Sequence, residues 1–330
     1  DGAVLGEMAL PQVLTSWSLL YSLLRDLARQ QPAIEYRQGV SVQSVEQDGA
    51  GVRVASAQGA FEADLLVAAD GIRSAVRQQL WPQVQPEYAG YVAWRGLCDE
   101  ASLSRATREQ VFERFGFCLP AGEQLIGYPV AGPGNTTEPG HRAWNFVWYR
   151  TAPAPKRLAE LLTDADGVHH PLGIPPHKVS WREVARMRED ARQVLAPAFA
   201  EMMEKCGQPF LQPIFDVQSQ TVACGSVALL GDAAFVARPH VGMGVTKAMQ
   251  DALALADAVQ RLGATPQALA DYEGVRLPAG QAAVQRARRL GAYMQACGQG
   301  GSAQPRDARR VMAETAIDLD HPPAEAADSP

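Results

Sequence analysis

The hydrophobic residues in the N-terminal part of the chain change from a helical to an alternating pattern. Leucines recur three and four residues apart within 16–30, which predicts an amphipathic helix that Pro32 ends. The run of apolar residues at 64–69 alternates little, so we expect a strand that is buried on both faces. Between these elements, short alternating segments separated by glycines predict a small meander with strands at 34–37, 40–45, 52–55 and 60–62.

The rest of the chain predicts a block of strands followed by long helices. Aromatic residues cluster within 88–150 in strand-like segments joined by Gly, Pro and Asn turns, which indicates an antiparallel sheet. Helical patterns resume near 181–206, and a second apolar strand at 226–230 leads into an amphipathic helix that ends at Leu262. A further helix is expected at 267–296. We therefore divide the chain into four segments, 1–87, 88–190, 191–297 and 298–330.

Composition excludes several classes of protein. The net charge of −6, from 30 basic and 36 acidic residues, does not favour a nucleic-acid partner. Acidic, basic or amide side chains interrupt every apolar run before it reaches membrane-spanning length. The 5 cysteines form no C-x-x-C pair and the 6 histidines lack metal-ligand spacing, so we expect no metal site. Scattered cysteines of this kind are typical of reduced thiols in a cytoplasmic protein.

Two segments combine an apolar strand with an acid and a glycine. Asp70 and Gly71 end the first strand, Gly231 and Asp232 end the second, and a Gly-x-Gly at 242–244 opens the long helix. In open α/β sheets, ligands bind at the carboxyl ends of strands, where a carboxylate can accept hydrogen bonds from sugar hydroxyls. The free N–H groups at a helix start favour negative charge. Either acid–glycine pair alone is also compatible with an ordinary turn, but the combination is far more specific.

These segments resemble the motifs of the single-component flavin-dependent aromatic hydroxylases of the p-hydroxybenzoate hydroxylase type. ADGIRSAVR at 69–77 is similar to their Asp-Gly motif, and GDAAFVARPHVGMG at 231–244 is similar to their Gly-Asp motif. The segment 269–291 is similar to the closing helix of the family. The resemblance is closest to the 2,6-dihydroxypyridine 3-monooxygenase subgroup, on the evidence of YAGYVAWRG (88–96), IGYPVAGPGN (126–135) and NFVWYR (145–150).

The resemblance implies a fold, cofactors and a reaction. The fold would be α/β, a Rossmann-like FAD-binding domain without its N-terminal part, interrupted by an antiparallel substrate-domain sheet. The cofactors would be FAD and, transiently, NADH or NADPH. Reduced flavin and O₂ would form a C4a-hydroperoxide, which would hydroxylate a small aromatic or hydroxypyridine-like substrate. The closing helix and the exposed aromatics are compatible with a homodimer.

The resemblance also gives roles to residues of the two motifs. Asp70, Gly71 and Arg73 would lie near the FAD pyrophosphate, although Arg73 and Arg77 are equally compatible with a solvated helix face. Asp232 would bind the ribityl chain of FAD. The other cofactor-binding candidates belong to the same Gly-Asp motif and are Gly231, Pro239, Gly242, Met243 and Gly244.

Candidates for chemistry and substrate binding lie in the Gly-Asp loop and on the aromatic sheet. His240 is the acid/base candidate, because histidine alone titrates near neutral pH without assistance. A structural loop histidine is an equally good interpretation. The sheet at 88–150 would cover the substrate, and most of its aromatics are expected in the core. The substrate-binding candidates on it are Trp94, Arg95, Tyr128 and Trp148.

The chain departs from the family pattern in three places. Trp17 stands where the family commonly has Arg, and Phe235 stands where His is frequent. The strand–G-x-G-x-x-G–helix unit that binds the ADP half of FAD is absent from this sequence. We therefore expect the flavin sheet to show an open edge where its first strands belong. Two alternatives stay open: an oxidase or halogenase-like flavoprotein of the same fold, and a non-catalytic fragment or binding protein.

Overall fold

The computed structural model describes residues 2–9, 13–49, 51–171, 173–296 and 306–315, which fall into two compact units. We call them the sheet unit and the motif unit. The sheet unit comprises Asp1–Tyr36, Gly90–Ile214 and Tyr293–Arg309. The motif unit comprises Arg37–Ala89, Phe215–Ala292 and Arg310–Pro330 and contains both acid–glycine motifs. Part of the predicted tail, at 298–305 and 316–330, lies outside the described residues.

Strands and helices are numbered in chain order. The strands are β1 (Val42–Gln47), β2 (Val52–Ser56), β3 (Gly59–Ala63), β4 (Leu66–Ala68), β5 (Glu87–Asp99), β6 (Gly116–Cys118), β7 (Gln124–Val130), β8 (Ala143–Thr151), β9 (Phe210–Gln218), β10 (Ala223–Cys224), β11 (Val227–Leu229) and β12 (Phe235–Val236). The helices are α1 (Trp17–Gln30), α2 (Ala75–Leu80), α3 (Arg105–Thr107), α4 (Lys156–Leu161), α5 (Trp181–Val194), α6 (Pro197–Lys205), α7 (Gly244–Leu262), α8 (Pro266–Ala296) and α9 (Ala308–Glu314). Among the helices of the described ranges, none is long and apolar enough to cross a membrane.

The motif unit places its two motifs on neighbouring parallel strands. β4, which precedes the Asp-Gly motif, pairs in parallel with β11, which precedes the Gly-Asp motif. The antiparallel strand β10 completes this sheet, in the order β10-β11-β4. The carboxyl ends of parallel strands lie on the same side of a sheet. Both acid–glycine pairs therefore follow the strand ends on that side. The meander β1-β2-β3 belongs to the same unit, as the alternating pattern predicted.

β4 differs from the sequence expectation in its burial. Val67 is 43% exposed, so the prediction of a strand buried on both faces is wrong. The reason is the position of β4 at the edge of its sheet, where no strand of the described residues pairs with its outer side. An open edge of the flavin sheet is the feature that the sequence led us to expect.

The sheet unit is built on long antiparallel strands packed against two helices. β5 pairs with β8, β8 with β7 and β7 with β6, and β9 lies on the other side of β5. One face of this sheet carries Trp94, Trp144, Phe146 and Trp148 and forms a hydrophobic core with residues of α5 and α6. This face holds the large apolar side chains of alternate positions, as a strand period of two requires.

In the N-terminal segment, one predicted element is confirmed and one prediction is wrong. The leucine pattern correctly predicts α1, but its leucines at 23, 24 and 27 remain 52–58% exposed. The strand predicted at 34–37 does not form. Instead, the Tyr36 ring contacts α1: its hydroxyl lies 3.1 Å from that of Tyr21, and Arg29 lies over its face. Contacts with a neighbouring helix therefore replace strand pairing at this point.

Two glycines of α8 provide a test of the packing in the motif unit. A Cβ at Gly280 would overlap the Phe235 ring, whereas a Cβ at Gly274 would meet nothing within 4 Å. We expect Gly280→Ala to lower the free energy of unfolding by about 1–3 kcal/mol through overpacking. Gly274→Ala is the matched control and should raise it by up to about 1 kcal/mol, because alanine favours the helix. Chemical denaturation measures both, and equal effects would contradict the described Phe235 packing.

Candidate functional site

The candidate site is centred on a tight turn at the carboxyl end of β11. Residues Gly231–Ala233 form a short 3₁₀ turn, and Gly231 has a φ of 63°. This left-handed conformation is strained for residues with a side chain, and a Cβ here would also touch Ala248 at 3.4 Å. Glycine at this position thus lets the chain turn sharply beneath α7 and presents the next side chain, Asp232, at the sheet edge.

Buried side chains from three helices and from Ser219, which follows β9, hold the backbone of this turn. Asp251 of α7 accepts a hydrogen bond from Gly231 N at 3.1 Å, and Lys247 Nζ donates one to Gly231 O at 2.9 Å. Arg77 of α2 donates to Ala233 O at 2.8 Å. The backbone carbonyls at 229 and 234 accept hydrogen bonds at 2.8 and 2.7 Å from the hydroxyls of Tyr272 and Ser219. Such a turn is fixed before any ligand arrives.

Three charged residues behind the turn form a buried cluster, which we call the Asp251 cluster: Lys247, Asp251 and Arg276. Their exposures are 1%, 1% and 4%. Asp251 receives Arg276 Nε on one carboxylate oxygen at 2.8 Å and has Lys247 Nζ 3.4 Å from the other. Two cations therefore face one anion, and the excess positive charge lies directly behind the turn. Buried charges are costly unless they are paired, so this arrangement depends on all three residues.

Asp232 points away from the core and is the reactive group of the turn. Its side chain reaches solvent, yet many protein atoms surround the carboxyl group, and this desolvation raises the pKa of Asp232. The positive charge of Lys247 acts in the opposite direction and lowers that pKa, while Asp251 raises it. An exposed carboxylate is suited to accept hydrogen bonds from hydroxyl groups of a bound ligand.

The start of α7 offers a second recognition element in the same unit. Gly242 has a φ of 65° and ends the 3₁₀ turn Pro239–Val241, and α7 begins at Gly244. Gly242 and Gly244 are exposed, and a Cβ at Gly244 would meet no atom within 4 Å. The N-cap residue of this 19-residue helix makes no side-chain capping hydrogen bond. Such a helix start favours a negatively charged group. Met243 between the glycines is buried and contributes to the core.

The Asp-Gly motif forms a turn that leads into α2. Gly71 has a φ of 78°, and Asp70 accepts hydrogen bonds from the N–H groups of Ala75 at 2.7 Å and Val76 at 3.4 Å. Arg73 is exposed on this turn. Asp70 therefore holds the start of α2, and its carboxylate retains further acceptor positions for a ligand.

Arg77 does not lie on a solvated helix face, which was one interpretation of its position in the sequence. It is completely buried, and its guanidinium donates to the carbonyls of Ile72, Val84 and Ala233. Burial lowers the pKa of Arg77, but arginine keeps its charge in proteins. The solvated-face interpretation is wrong for Arg77, because this side chain connects the Asp-Gly turn to the Gly-Asp turn.

The loop that carries His240 is held by a buried carboxylate. His240 is 1% exposed and lies in the turn Pro239–Val241. The preceding Arg238 donates to Asp216 at 2.7 Å, and Arg288 of α8 donates to the other oxygen of Asp216 at 2.9 Å. Asp216 has no exposed surface. A rigid loop therefore positions His240, which remains a candidate for proton transfer.

In the sheet unit, the four substrate candidates lie on opposite faces of the sheet. Trp94 and Trp148 oppose each other in the β5–β8 ladder and belong to the hydrophobic core under α5 and α6. Arg95 and Tyr128 lie on the other face. We call this the tyrosine face and define it by Tyr91, Arg95, Tyr128, Asn145 and Tyr149.

The tyrosine face combines aromatic rings with polar groups. The rings of Tyr91 and Tyr149 form an edge-to-face pair with centroids 6.1 Å apart. Arg95 donates a hydrogen bond to Gln212 at 2.8 Å. Burial raises the pKa of Tyr149, while the charge of Arg95 lowers it, so the hydroxyl stays protonated at neutral pH. Rings and hydrogen-bonding groups on one surface are typical of sites for small aromatic ligands.

Sequence reasoning missed the residues that hold the turn. Lys247 and Asp251 are four positions apart on an amphipathic helix, a spacing that usually indicates an exposed ion pair. Arg276 lies in the segment similar to the closing helix of the family, and Asp216 lies on β9, but sequence reasoning assigned neither residue a role. The available signal was that Lys247 and Asp251 share one face of α7 with the apolar Leu255 and Ala258, which would have placed them towards the core.

FAD is the cofactor that the Gly-Asp resemblance implies, and the described residues fit it. A hydroxyl chain requires acceptors, which the exposed carboxylate of Asp232 supplies. A pyrophosphate requires free N–H groups and close backbone approach, which the exposed glycines at the start of α7 and Gly71 allow. The motif unit therefore has the groups needed for the ribityl and phosphate parts of FAD.

Replacement of Arg77 tests whether it holds the two motif turns together. We expect Arg77→Met to lower the free energy of unfolding by about 3 kcal/mol, because buried carbonyls lose their donor. Arg73→Met, in the exposed turn beside it, should change that free energy by no more than about 0.5 kcal/mol. Urea unfolding followed by circular dichroism distinguishes the two variants. Equally small changes in the free energy of unfolding for both variants would show that the Arg77 hydrogen bonds contribute little to stability.

Parts of the chain match families of FAD-binding domains. A family described as FAD binding domain matches residues 175–287, and one described as FAD binding domain-like matches residues 88–216. The chain is 27% identical over 292 residues to 2,6-dihydroxypyridine 3-monooxygenase of Paenarthrobacter nicotinovorans, covering 88% of this chain and 71% of that protein. It is 33% identical over 237 residues to aurachin C monooxygenase/isomerase of Stigmatella aurantiaca, covering 70% and 51%.

The fold is similar to that of a solved structure of the same group. The structure of 2,6-dihydroxypyridine-3-hydroxylase from Arthrobacter nicotinovorans matches with a TM-score of 0.77 at 24% identity, covering 87% of this chain and 75% of that one. The chain thus spans about half to three quarters of the length of these relatives. The two motifs, the mixed sheet and these matches all indicate the same group of proteins. The chain is therefore similar in sequence to FAD-dependent aromatic hydroxylases, and it has their fold.

Proposed function

We propose that the protein is an FAD- and NAD(P)H-dependent monooxygenase that hydroxylates a small aromatic or N-heteroaromatic ring. The observation that carries the proposal is the preformed Gly-Asp turn, whose solvent-open Asp232 lies beside a free helix start in the same unit. The relatives named as monooxygenases support the type of reaction. A hydroxypyridine is the substrate class that the first of these relatives suggests.

Residues of the motif unit would bind and orient the cofactor. Asp232 would accept hydrogen bonds from ribityl hydroxyls, while the N–H groups at the start of α7 would face negative charge. Asp70, Gly71 and Arg73 would contact the pyrophosphate. Bound reduced flavin supplies the activation of O₂ that a protein side chain cannot provide.

Each unit has its own proposed role towards the substrate: proton transfer for His240 of the motif unit, and binding for the tyrosine face of the sheet unit. Arg95 would bind an oxyanion or carboxylate of the ring, and Tyr128 would donate a hydrogen bond to it. Trp94 and Trp148 support this face from the core beneath it. His240 would accept the proton of a ring hydroxyl through its imidazole, because histidine is the side chain best suited to proton transfer near neutral pH. Deprotonation makes the ring richer in electrons and prepares it for hydroxylation.

Binding of FAD tests the first part of the proposal. The protein should take up FAD with a flavin absorbance band, and Asp232→Asn should raise the dissociation constant about tenfold or more, because a charged acceptor is lost. Asp257→Asn is the matched control, since Asp257 lies on α7 and forms an exposed ion pair with Arg261. Fluorescence titration measures all three proteins. A wild-type preparation that binds no FAD would contradict the proposal.

Substrate recognition is tested by NAD(P)H oxidation in the presence of hydroxypyridines, hydroxynicotinates and hydroxybenzoates. At least one compound should stimulate oxidation with coupled formation of a hydroxylated product. Arg95→Met should raise the KM for that compound about tenfold, because a charged hydrogen bond is lost, with FAD affinity unchanged. Arg105→Met, on an exposed helix of the same unit, serves as control. Stimulation without hydroxylated product, and with peroxide instead, would indicate an oxidase.

A further inference from the structure

The Asp251 cluster has a geometry that goes beyond filling the core. Lys247 and Asp251 hold the two consecutive peptide units that meet at Gly231, since Lys247 binds Gly231 O and Asp251 binds Gly231 N. Arg276 fixes the second oxygen of Asp251 at 2.8 Å, so the carboxylate cannot rotate away. The orientation of the Gly231 peptide determines where the chain places Asp232, the next residue.

The charges of the cluster also act on Asp232. Lys247 has one carboxylate close to it in Asp251, which Arg276 already shares. The remaining positive charge favours the ionised form of Asp232, against the desolvation that raises the pKa of this group. Lys247 and Asp251, both on α7, are the charged residues that act on Asp232, and Arg276 on α8 reaches it through Asp251.

We propose that Lys247 and Asp251 are positioning residues for the flavin: they fix the peptide units on both sides of Gly231, and Lys247 places its ammonium group next to the turn that presents Asp232 to cofactor hydroxyls. This inference rests on the proposed function, because it concerns the same cofactor site. Neither residue touches the cofactor in this account. Both act through the Gly-Asp turn.

The pH dependence of FAD affinity distinguishes this role from a merely structural one. Affinity in the wild type should fall as the pH drops through the pKa of Asp232, because the protonated acid is a poorer acceptor. In Lys247→Met, the pKa of Asp232 is higher, so the fall should begin at a higher pH. Arg261→Met removes one exposed positive charge from the last turn of the same helix and should leave the profile unchanged. Identical profiles for Lys247→Met and the wild type would overturn the role of Lys247.

The role of Asp251 is tested by Asp251→Asn, with Asp257→Asn as control. The FAD dissociation constant should rise about ten- to a hundredfold in Asp251→Asn, as expected for loss of charged hydrogen bonds. Hydrogen exchange of the Gly231 amide should accelerate in the ligand-free protein. The control should show neither change. Wild-type affinity together with wild-type exchange in Asp251→Asn would overturn the role of Asp251, and circular dichroism verifies that each variant is folded.

Measurements on the ligand-free protein separate this inference from the proposed function. If the wild-type protein binds no FAD, the proposed function fails. The carboxyl carbon shift of Asp232, followed by NMR against pH in wild type and Lys247→Met, then decides the inference together with the Gly231 exchange rates. A titration of Asp232 at higher pH in Lys247→Met, with faster exchange in Asp251→Asn, supports the positioning roles. Unchanged titration and exchange would overturn them.

Discussion

The site of this protein depends on the buried ion pair between Asp251 and Arg276. Removing either partner would leave an uncompensated charge in the core, which is among the most costly changes a fold can undergo. The pair orients the Asp251 carboxylate, which holds the Gly231 peptide and keeps Lys247 beside it. The left-handed turn and the placement of Asp232 follow from these contacts.

A second connection joins the two motifs of the unit. Arg77 lies on the helix after the Asp-Gly turn and binds a carbonyl of the Gly-Asp turn. Because β4 and β11 are parallel neighbours, both turns lie at the carboxyl end of these strands. The buried side chain of Arg77 is long enough to contact both turns. The two motifs thus form one preformed surface, and preorganisation of this kind lowers the cost of binding a ligand.

The sequence predicted the elements and motifs well because they depend on local patterns. Hydrophobic periodicity correctly located α1, α7 and α8, and the acid–glycine pairs marked both turns. Burial was harder to predict. Val67 is exposed because β4 lies at an edge, and Arg77 and Lys247 are buried although charged residues on helices usually face solvent. These outcomes depend on tertiary neighbours, which a period in the sequence does not specify.

The faces of the substrate sheet show the same limit. Alternation separated Trp94 from Arg95, but only the packing of α5 and α6 decides which face is covered. A crystal structure of the protein with FAD bound is the most direct test of the account. It should show the Asp232 carboxylate within hydrogen-bonding distance of the ribityl hydroxyls, with the Gly231 peptide still held by Lys247 and Asp251. A flavin bound away from Asp232, or a Gly-Asp turn rearranged from the ligand-free form, would contradict it.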